Sequence, residues 1–124
     1  MSDVTVKRLD EIAYYQGPNA VAGIRFHYAA RDLGVTAWGM NVLELAAGCT
    51  GYPEHDHRSD GQEEVYLVLR GSAVLAVGDE RWPLEAGVLA RVGPGARRKI
   101  VPGPDGATLL AIGATPGEAY APRS

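Results

Sequence analysis

Short apolar runs bounded by Gly, Pro or Asp recur about every ten residues after position 37, and this spacing limits the folds open to the chain. The runs read WGMNVLEL, EVYLVLR, SAVLAVG, RWPL, VLARVG, RKIVPG and ATLLAIG. They contain many Val and Leu residues, and short strands at this spacing are typical of a sandwich or a barrel. The pattern therefore predicts an all-β fold.

Two glycine-containing turns are predicted to join consecutive strands as hairpins. One consists of Arg70 and Gly71, between EVYLVL and SAVLAV, and the other is Gly78-Asp79-Glu80, between SAVLAV and RWPL. Glycine can adopt the positive φ that a tight hairpin requires. Both turns therefore predict antiparallel neighbours. Before position 37 we expect strands near residues 4–8 and 23–28, and one short helix near residues 28–33 that ends at Gly34.

Composition bears on the class of protein and on its partners. The chain of 124 residues has 12 Lys+Arg against 15 Asp+Glu, and no basic stripe interleaves with aromatic residues as a nucleic-acid surface requires. The N-terminus lacks an apolar signal region, and no window approaches the roughly 18 apolar residues of a membrane span. The single cysteine, Cys49, excludes an intramolecular disulfide. We expect one soluble domain over residues 1–124, located in the cytoplasm, that binds neither nucleic acid nor membranes.

The stretch YPEHDHRSDGQEEVYLVLRG, residues 52–71, places His55, His57 and Glu64 close together in sequence. Residues two apart on a strand face the same side, so both imidazoles can point to one position. A hairpin-like return would carry the Glu64 carboxylate back toward them. Two His and one carboxylate on one face can bind Fe, Mn, Ni, Co or Zn as divalent ions. Two surface histidines on a polar loop without a metal remain the alternative.

The residues around this stretch resemble the first sequence motif of the cupin superfamily. That motif has an H-x-H pair, a glutamate after a short gap, and a glycine after six more residues, and His55, His57, Glu64 and Gly71 match it. The resemblance runs from about residue 48 to residue 113. It implies a double-stranded β-helix, a jelly-roll barrel of antiparallel strands with its core at about residues 38–114, and a metal held by His55, His57 and Glu64. Alternation then turns Glu63 outward.

The chain departs from the cupin pattern at three places. Gly48, the glycine before the histidine pair, lies one residue further from His55 than the pattern expects. The gap between His57 and Glu64 is about two residues longer than usual, which a loop tolerates. In the second motif, placing Gly93-Pro94-Gly95 on the turn puts Arg98 where the family has a histidine as fourth ligand. The remaining histidine, His27, lies far upstream, where packing or surface exposure is the more common role.

Arg98 leaves two arrangements open. In one, Arg98 pairs directly with Glu64 and replaces the metal electrostatically. In the other, the metal binds and Arg98 lies further out, where it holds a carboxylate or phosphate of a substrate. A slip of one residue would place Arg97 inside the barrel instead of Arg98.

Other side chains are expected to line the interior. Tyr66 shares the face of Glu64 with Gln62 and Val68, so its hydroxyl is a candidate proton carrier, and with Arg98 it forms the predicted catalytic pair. Core packing of Tyr66 is the alternative. On the preceding strand, the alternating residues Trp38, Met40 and Val42 are expected to form an apolar wall or to pack in the core.

The cupin resemblance implies a small-molecule-processing protein. A metal-dependent enzyme of the dioxygenase, isomerase, epimerase or decarboxylase type would act on a small anionic or carbonyl-containing metabolite. The alternative is a metal-free cupin that binds a small anionic metabolite without catalysis. Because many cupins pair through their sheets, and a small barrel has edge strands to cover, we expect a homodimer.

Overall fold

Six antiparallel strands form the framework of residues 3–121, the part of the chain that the computed structural model describes. The strands are β1 (Ile24–His27), β2 (Gly39–Leu45), β3 (Glu63–Val77), β4 (Glu80–Glu85), β5 (Leu89–Val92) and β6 (Arg98–Ala114). A short helix, α1 (Ala29–Leu33), follows β1, and a 3₁₀ turn covers Leu9–Glu11. The predicted all-β fold is confirmed. In the described range, none of the helices has the length and apolar character needed to cross a bilayer.

The two longest strands, β3 and β6, organise the sheet. The strand order is β1-β2-β6-β3-β4, and β5 pairs with β3 as well. On the side away from β6, β3 pairs with β5 in its first half and with β4 in its second half. Strand β3 therefore changes its partner on that side near its middle, around Arg70 and Gly71.

The predicted hairpin at Arg70 and Gly71 is wrong, because β3 continues through both residues. The register between β3 and β6 shifts on each side of them, which marks a bulged region. Gly71 has φ 77°, and a Cβ placed on it would lie 2.1 Å from the Gly106 carbonyl oxygen. The glycine is needed here for a close backbone approach in a bulge, not for a chain reversal. RKIVPG and ATLLAIG likewise belong to one strand, β6.

The second predicted hairpin is confirmed. Val77 pairs with Glu80, so that Gly78 and Asp79 form a two-residue loop between β3 and β4. Gly78 has φ 56°, the positive value that a type II′ turn requires at its first central position.

Of the three elements predicted in the first 37 residues, one strand and the helix are confirmed. The strand at residues 23–28 is confirmed as β1, and the helix is confirmed as α1, which ends at Gly34 with φ 83°. The strand expected at residues 4–8 is not among the strands of the described residues, and this segment is exposed. The neighbouring segment instead contacts β1, where Tyr14 forms an isolated bridge with His27.

The sheet carries apolar residues on both faces. The main core lies on the inner face and includes Leu43, Leu45, Tyr66, Val68, Ile100 and Leu109. A smaller cluster on the outer face joins Ile12, Ala29 and Val42, with Leu9, Met40 and Leu110 packed against it.

The expected apolar wall of Trp38, Met40 and Val42 therefore does not line the interior. Leu43 and Leu45 pair with Leu109 and Ala107 and occupy the inner face, so alternation sends Met40 and Val42 outward under the N-terminal segment. Trp38 is 43% exposed.

Candidate metal centre

Backbone hydrogen bonds hold the histidine pair against the start of β6. The His55 N–H donates to the Arg98 carbonyl (3.0 Å), and the Arg98 N–H donates to the His55 carbonyl (2.8 Å). The His57 N–H donates to the carbonyl of Pro94 (2.9 Å), in the turn before β6. The Gly-Pro-Gly turn thus fixes the segment that carries both imidazoles, and both face Glu64 at the beginning of β3.

His55, His57 and Glu64 converge on one position. One possible ligand atom from each residue lies within 4.8 Å of the others. Nε2 of His57 is 3.2 Å from Oε1 of Glu64, and Nε2 of His55 is 3.7 Å from the same oxygen. The two imidazole rings meet edge-on with centroids 5.1 Å apart. A single ion can therefore contact all three side chains.

The outer hydrogen bonds of both imidazoles fix their tautomers. Nδ1 of His55 lies 2.9 Å from the Pro53 carbonyl oxygen, and Nδ1 of His57 lies 3.1 Å from a carboxylate oxygen of Asp60. Both partners accept hydrogen bonds, so each Nδ1 carries a proton. The Nε2 lone pairs are then free for a metal. A carboxylate that accepts the other ring N–H of a ligating histidine is common at metal sites.

His57 provides a test of whether a cation fits. Its Nε2 is buried and has no hydrogen-bond partner among residues 3–121. The 3.2 Å approach to Glu64 does not amount to a hydrogen bond in the Nδ1–H tautomer, because both atoms then present lone pairs. Leaving a buried acceptor unsatisfied is costly, and a divalent ion between the two atoms would satisfy both. The donor set, two nitrogens and one carboxylate, fits such an ion.

Glu64 is the electrostatic centre of the site. Burial would raise the pKa of its carboxyl group, but the contact with His55, the hydrogen bond from Tyr66 and the neighbouring His57 and Arg98 lower that pKa below its ordinary value. The Tyr66 hydroxyl donates to Oε1 of Glu64 (2.7 Å). Interaction with the ionised carboxylate in turn raises the pKa of His55 despite partial burial. Glu64 is therefore present as a carboxylate.

Two tyrosines extend the network. The hydroxyl oxygens of Tyr52 and Tyr66 are 3.4 Å apart. Burial raises the pKa of Tyr52 to about 12, and burial, followed by the nearby Tyr52 and Glu64, also raises the pKa of Tyr66. Tyr66 therefore keeps its proton and acts as a donor to Glu64.

Arg98, and not Arg97, lies inside. The Arg98 side chain is 0% exposed, and its guanidinium donates to the carbonyls of Ala96 (2.9 Å), Gly93 (3.3 Å) and Val92 (3.4 Å). Its Nη2 is 3.6 Å from Oε1 of Glu64, an ionic contact too long for a good hydrogen bond. Arg97 is 60% exposed and pairs with Glu54. The turn carbonyls thus hold a permanent cation behind the carboxylate.

Other residues considered from sequence lie elsewhere, and two partners were missed. Glu63 faces outward and pairs with Arg91, as alternation predicts. His27 is 3% exposed and packs under the N-terminal segment, away from the site. Sequence reasoning missed Asp60 and Tyr52. The only sequence signal for Asp60 is a carboxylate three residues after a candidate ligand.

Comparisons with known proteins agree with this architecture. The family model described as a Cupin domain matches residues 41–113. A sugar phosphate isomerase of the cupin superfamily from Silicibacter pomeroyi superposes with TM-score 0.73 at 20% identity, covering 95% of this chain and 77% of that one. A cupin protein from Bacteroides fragilis gives TM-score 0.62 at 23% identity, covering 89% and 91% respectively.

A predicted oxalate decarboxylase from Thermotoga maritima gives TM-score 0.67 at 20% identity, covering 90% of this chain and 99% of that one. At these identities the likeness concerns the fold. The comparison with curated proteins gives no match. Because the family model spans more than half of the 124 residues, including the histidine pair and Glu64, the chain belongs to the cupin family.

Proposed function

We propose that this chain binds one divalent metal ion through Nε2 of His55, Nε2 of His57 and the Glu64 carboxylate. The observation that carries the proposal is the pair of fixed tautomers, which leaves two Nε2 lone pairs beside an ionised carboxylate. Three protein ligands leave coordination positions for a substrate. The donor set accepts Fe, Mn, Ni, Co or Zn.

The proposed substrate is a small anionic or carbonyl-containing metabolite. A metal at this site supplies Lewis-acid polarisation of a bound oxygen. Two similar structures are a sugar phosphate isomerase and a predicted oxalate decarboxylase, whose names refer to small oxygen-rich anions. They support the substrate class and leave the reaction type open between dioxygenase, isomerase, epimerase and decarboxylase chemistry.

Tyr66 and Arg98, the predicted catalytic residues, have narrower roles in this proposal. Tyr66 holds its proton at the hydroxyl oxygen and orients the Glu64 carboxylate by a 2.7 Å hydrogen bond. Arg98 is fully buried, so in this arrangement its charge acts on a ligand through Glu64. Tyr66 therefore orients the Glu64 carboxylate, and the positive charge of Arg98 balances its negative charge.

The second candidate function is a metal-free cupin that binds a small anionic metabolite without catalysis. The observation in its favour is Arg98, whose charge already lies 3.6 Å from Glu64. A proton shared between His55 and Glu64 would complete the neutralisation of the carboxylate without any metal. In that case the fixed cation has taken over the metal's electrostatic role.

Metal content after anaerobic reconstitution distinguishes these functions. Tag-free protein is loaded with Fe(II), Mn(II), Ni(II), Co(II) or Zn(II) and measured by elemental analysis. We expect close to one equivalent in the wild type and in Glu63→Ala, whose side chain faces outward on the same strand. Glu64→Ala should lose the metal. An empty wild type, or full retention in Glu64→Ala, would contradict the proposal, and metal gained only by Arg98→His would support the metal-free candidate.

A homodimer and a cytoplasmic location complete the proposal. Large apolar side chains on the surface, including Leu69, Trp82 and Leu89, support a second copy that covers them. The single cysteine is compatible with a reducing compartment. Sedimentation equilibrium of the wild-type protein measures the oligomeric state directly.

A further inference from the structure

A row of polar side chains crosses the outer face of the sheet. Arg25 pairs with Glu44, Glu44 pairs with Thr108, and Thr108 pairs with Arg70. Directly paired residues share a face, so these four residues form one line across β1, β2, β6 and β3. The adjacent row faces the main core and consists of Phe26, Leu43, Leu109 and Val68.

A bulge brings Arg70 into this row. Val68 and Arg70 are two residues apart and would share a face in a regular strand. Val68 is buried opposite Leu109, but Arg70 is exposed opposite Thr108, the next residue along β6, because Leu69 is the extra residue. Bulges often redirect one side chain at a functional place. Here the bulge moves the Arg70 side chain away from the core face and onto the outer face, which also carries Glu44.

The acidic residue in the middle of the row is already neutralised. Nδ1 of His27 lies 2.9 Å from the Ile12 carbonyl oxygen and must carry a proton. Nε2 of His27 lies 2.6 Å from Oε1 of Glu44, so a second proton lies between these two atoms. Whether that proton belongs to the ring or to the carboxyl group, the pair has zero net charge. Glu44 therefore does not cancel the charge of the arginines beside it.

The two arginines of the row have charge available for a ligand. The Arg25 guanidinium lies over the Tyr14 ring, 5.3 Å from its centroid. Within the described residues 3–121, the ion pairs closer than 4.0 Å involve neither Arg25 nor Arg70. Each guanidinium can therefore form a two-pronged contact with a phosphate or carboxylate group.

Arg25, Glu44 and Arg70 connect two open cavities. The cavities have volumes of about 590 and 880 Å³, and both are lined by Arg25, Glu44 and Arg70. These volumes match those of small-molecule sites. Besides Glu44, the acidic residues that line the cavities are Asp10 and Glu11 in the smaller one, with Asp10 paired to Arg8, and Asp105 in the larger one. The part shared by both cavities contains the two arginines and Glu44, whose charge is balanced by His27.

We propose that this outer-face site binds a small organic anion whose phosphate or carboxylate group lies between Arg25 and Arg70. The site is separate from the metal centre, because its side chains point away from the core that encloses Tyr66 and Val68. It uses residues that the proposed metal chemistry leaves unused.

Titration of metal-free protein with inorganic phosphate, pyrophosphate and citrate tests this site. Amide chemical shifts are followed by NMR while chloride keeps the ionic strength constant. We expect saturable shifts at Arg25, Glu44, Arg70 and Thr108. Phosphate and pyrophosphate should saturate at lower concentration than citrate if the site prefers a phosphate group, and citrate should do so if it prefers a carboxylate group. Arg25→Gln and Arg70→Gln should each weaken binding about tenfold or more.

Arg81→Gln is the matched control, since it removes one exposed arginine from β4, outside the row. It should titrate like the wild type. The proposal is overturned if none of the anions produces saturable shifts up to about 10 mM, or if Arg25→Gln and Arg70→Gln both titrate like Arg81→Gln. Because all of these side chains are exposed, the variants should fold.

Discussion

Nη2 of Arg98 lies 3.6 Å from Oε1 of Glu64, the oxygen that also faces Nε2 of His57 at 3.2 Å. A permanent cation and a candidate metal position therefore share one carboxylate oxygen. Three backbone carbonyls hold the guanidinium in place, so it cannot turn outward without losing those hydrogen bonds. Arg98 thus belongs to the fixed electrostatic environment of the site.

Arg98→Met should destabilise the protein strongly. The variant leaves the Glu64 carboxylate without its buried cation and three carbonyl groups without their donor, and losing one partner of a buried pair costs roughly 3–5 kcal/mol. Arg97→Met is the matched control, because Arg97 makes exposed ion pairs worth about 1 kcal/mol or less. Urea unfolding of metal-free protein measures both. Equal unfolding free energies for the two variants would contradict the structural role of Arg98.

Asp60→Ala should weaken metal binding by about 10–100-fold, as loss of a carboxylate behind a ligating histidine does. The Asp60 carboxylate accepts the His57 Nδ1 proton and so keeps the Nε2 lone pair available. Asp56→Ala is the control, since Asp56 lies in the same loop and accepts the Arg58 N–H instead. Competition with a chelating dye gives both dissociation constants. Identical dissociation constants for the two variants would contradict a role of Asp60 in holding His57 for the metal.

Tyr66→Phe should lower the free energy of unfolding by about 1.5–3 kcal/mol, the range for a hydrogen bond to a charged group. The lost hydroxyl donates to Glu64, and its removal should also raise the Glu64 pKa, so that metal binding shifts to higher pH. Tyr52→Phe loses only the longer 3.4 Å contact between two hydroxyls and should cost less. Chemical unfolding and metal titrations at several pH values check both effects, and an unchanged pH profile in Tyr66→Phe would contradict this role.

The His55–Glu64 contact should give metal-free protein a pH-dependent stability. The folded pKa of His55 is raised, so its contribution is complete below the ordinary value of 6.5 and is lost as pH rises through the folded pKa. The folded pKa of Glu64 is lowered, so its contribution is complete above 4.5 and is lost as pH falls through the folded pKa. Both contributions are complete between pH 4.5 and 6.5.

Thermal unfolding across this range, with Glu64→Gln for comparison, measures the effect. The difference in stability between the wild type and Glu64→Gln should be greatest within the window and smaller on either side. A difference that does not change with pH would mean that the contact contributes by packing alone. The comparison requires chelator-treated protein, because metal binding is itself pH-dependent.

The strand content and the proximity of His55, His57 and Glu64 could be predicted because both follow from local patterns. Turn residues at regular spacing mark the strands, and the H-x-H pair with Glu64 states the donor set directly. The Arg70–Gly71 bulge could not be told from a hairpin, since both use a glycine with positive φ. What decides between them is the approach of Gly106, more than thirty residues away.

The remaining features of the site depend on tertiary contacts that the sequence does not display. The choice between Arg97 and Arg98 is made by the backbone pairing of His55 with Arg98, which fixes the register at the start of β6. The position of Asp60 depends on how the long loop after His57 closes. Met40 and Val42 alternate as predicted, but the N-terminal segment covers them and makes theirs the outer face.

Anomalous diffraction shows whether His55, His57 and Glu64 together hold one metal ion. Data are recorded on both sides of the zinc absorption edge from crystals of protein reconstituted with Zn(II). We expect one strong peak at bonding distance from Nε2 of both histidines and from a Glu64 oxygen, with Arg98 still hydrogen-bonded to the carbonyls of Val92, Gly93 and Ala96. A crystal without a peak at this position, in which Arg98 is hydrogen-bonded directly to Glu64, would contradict this expectation.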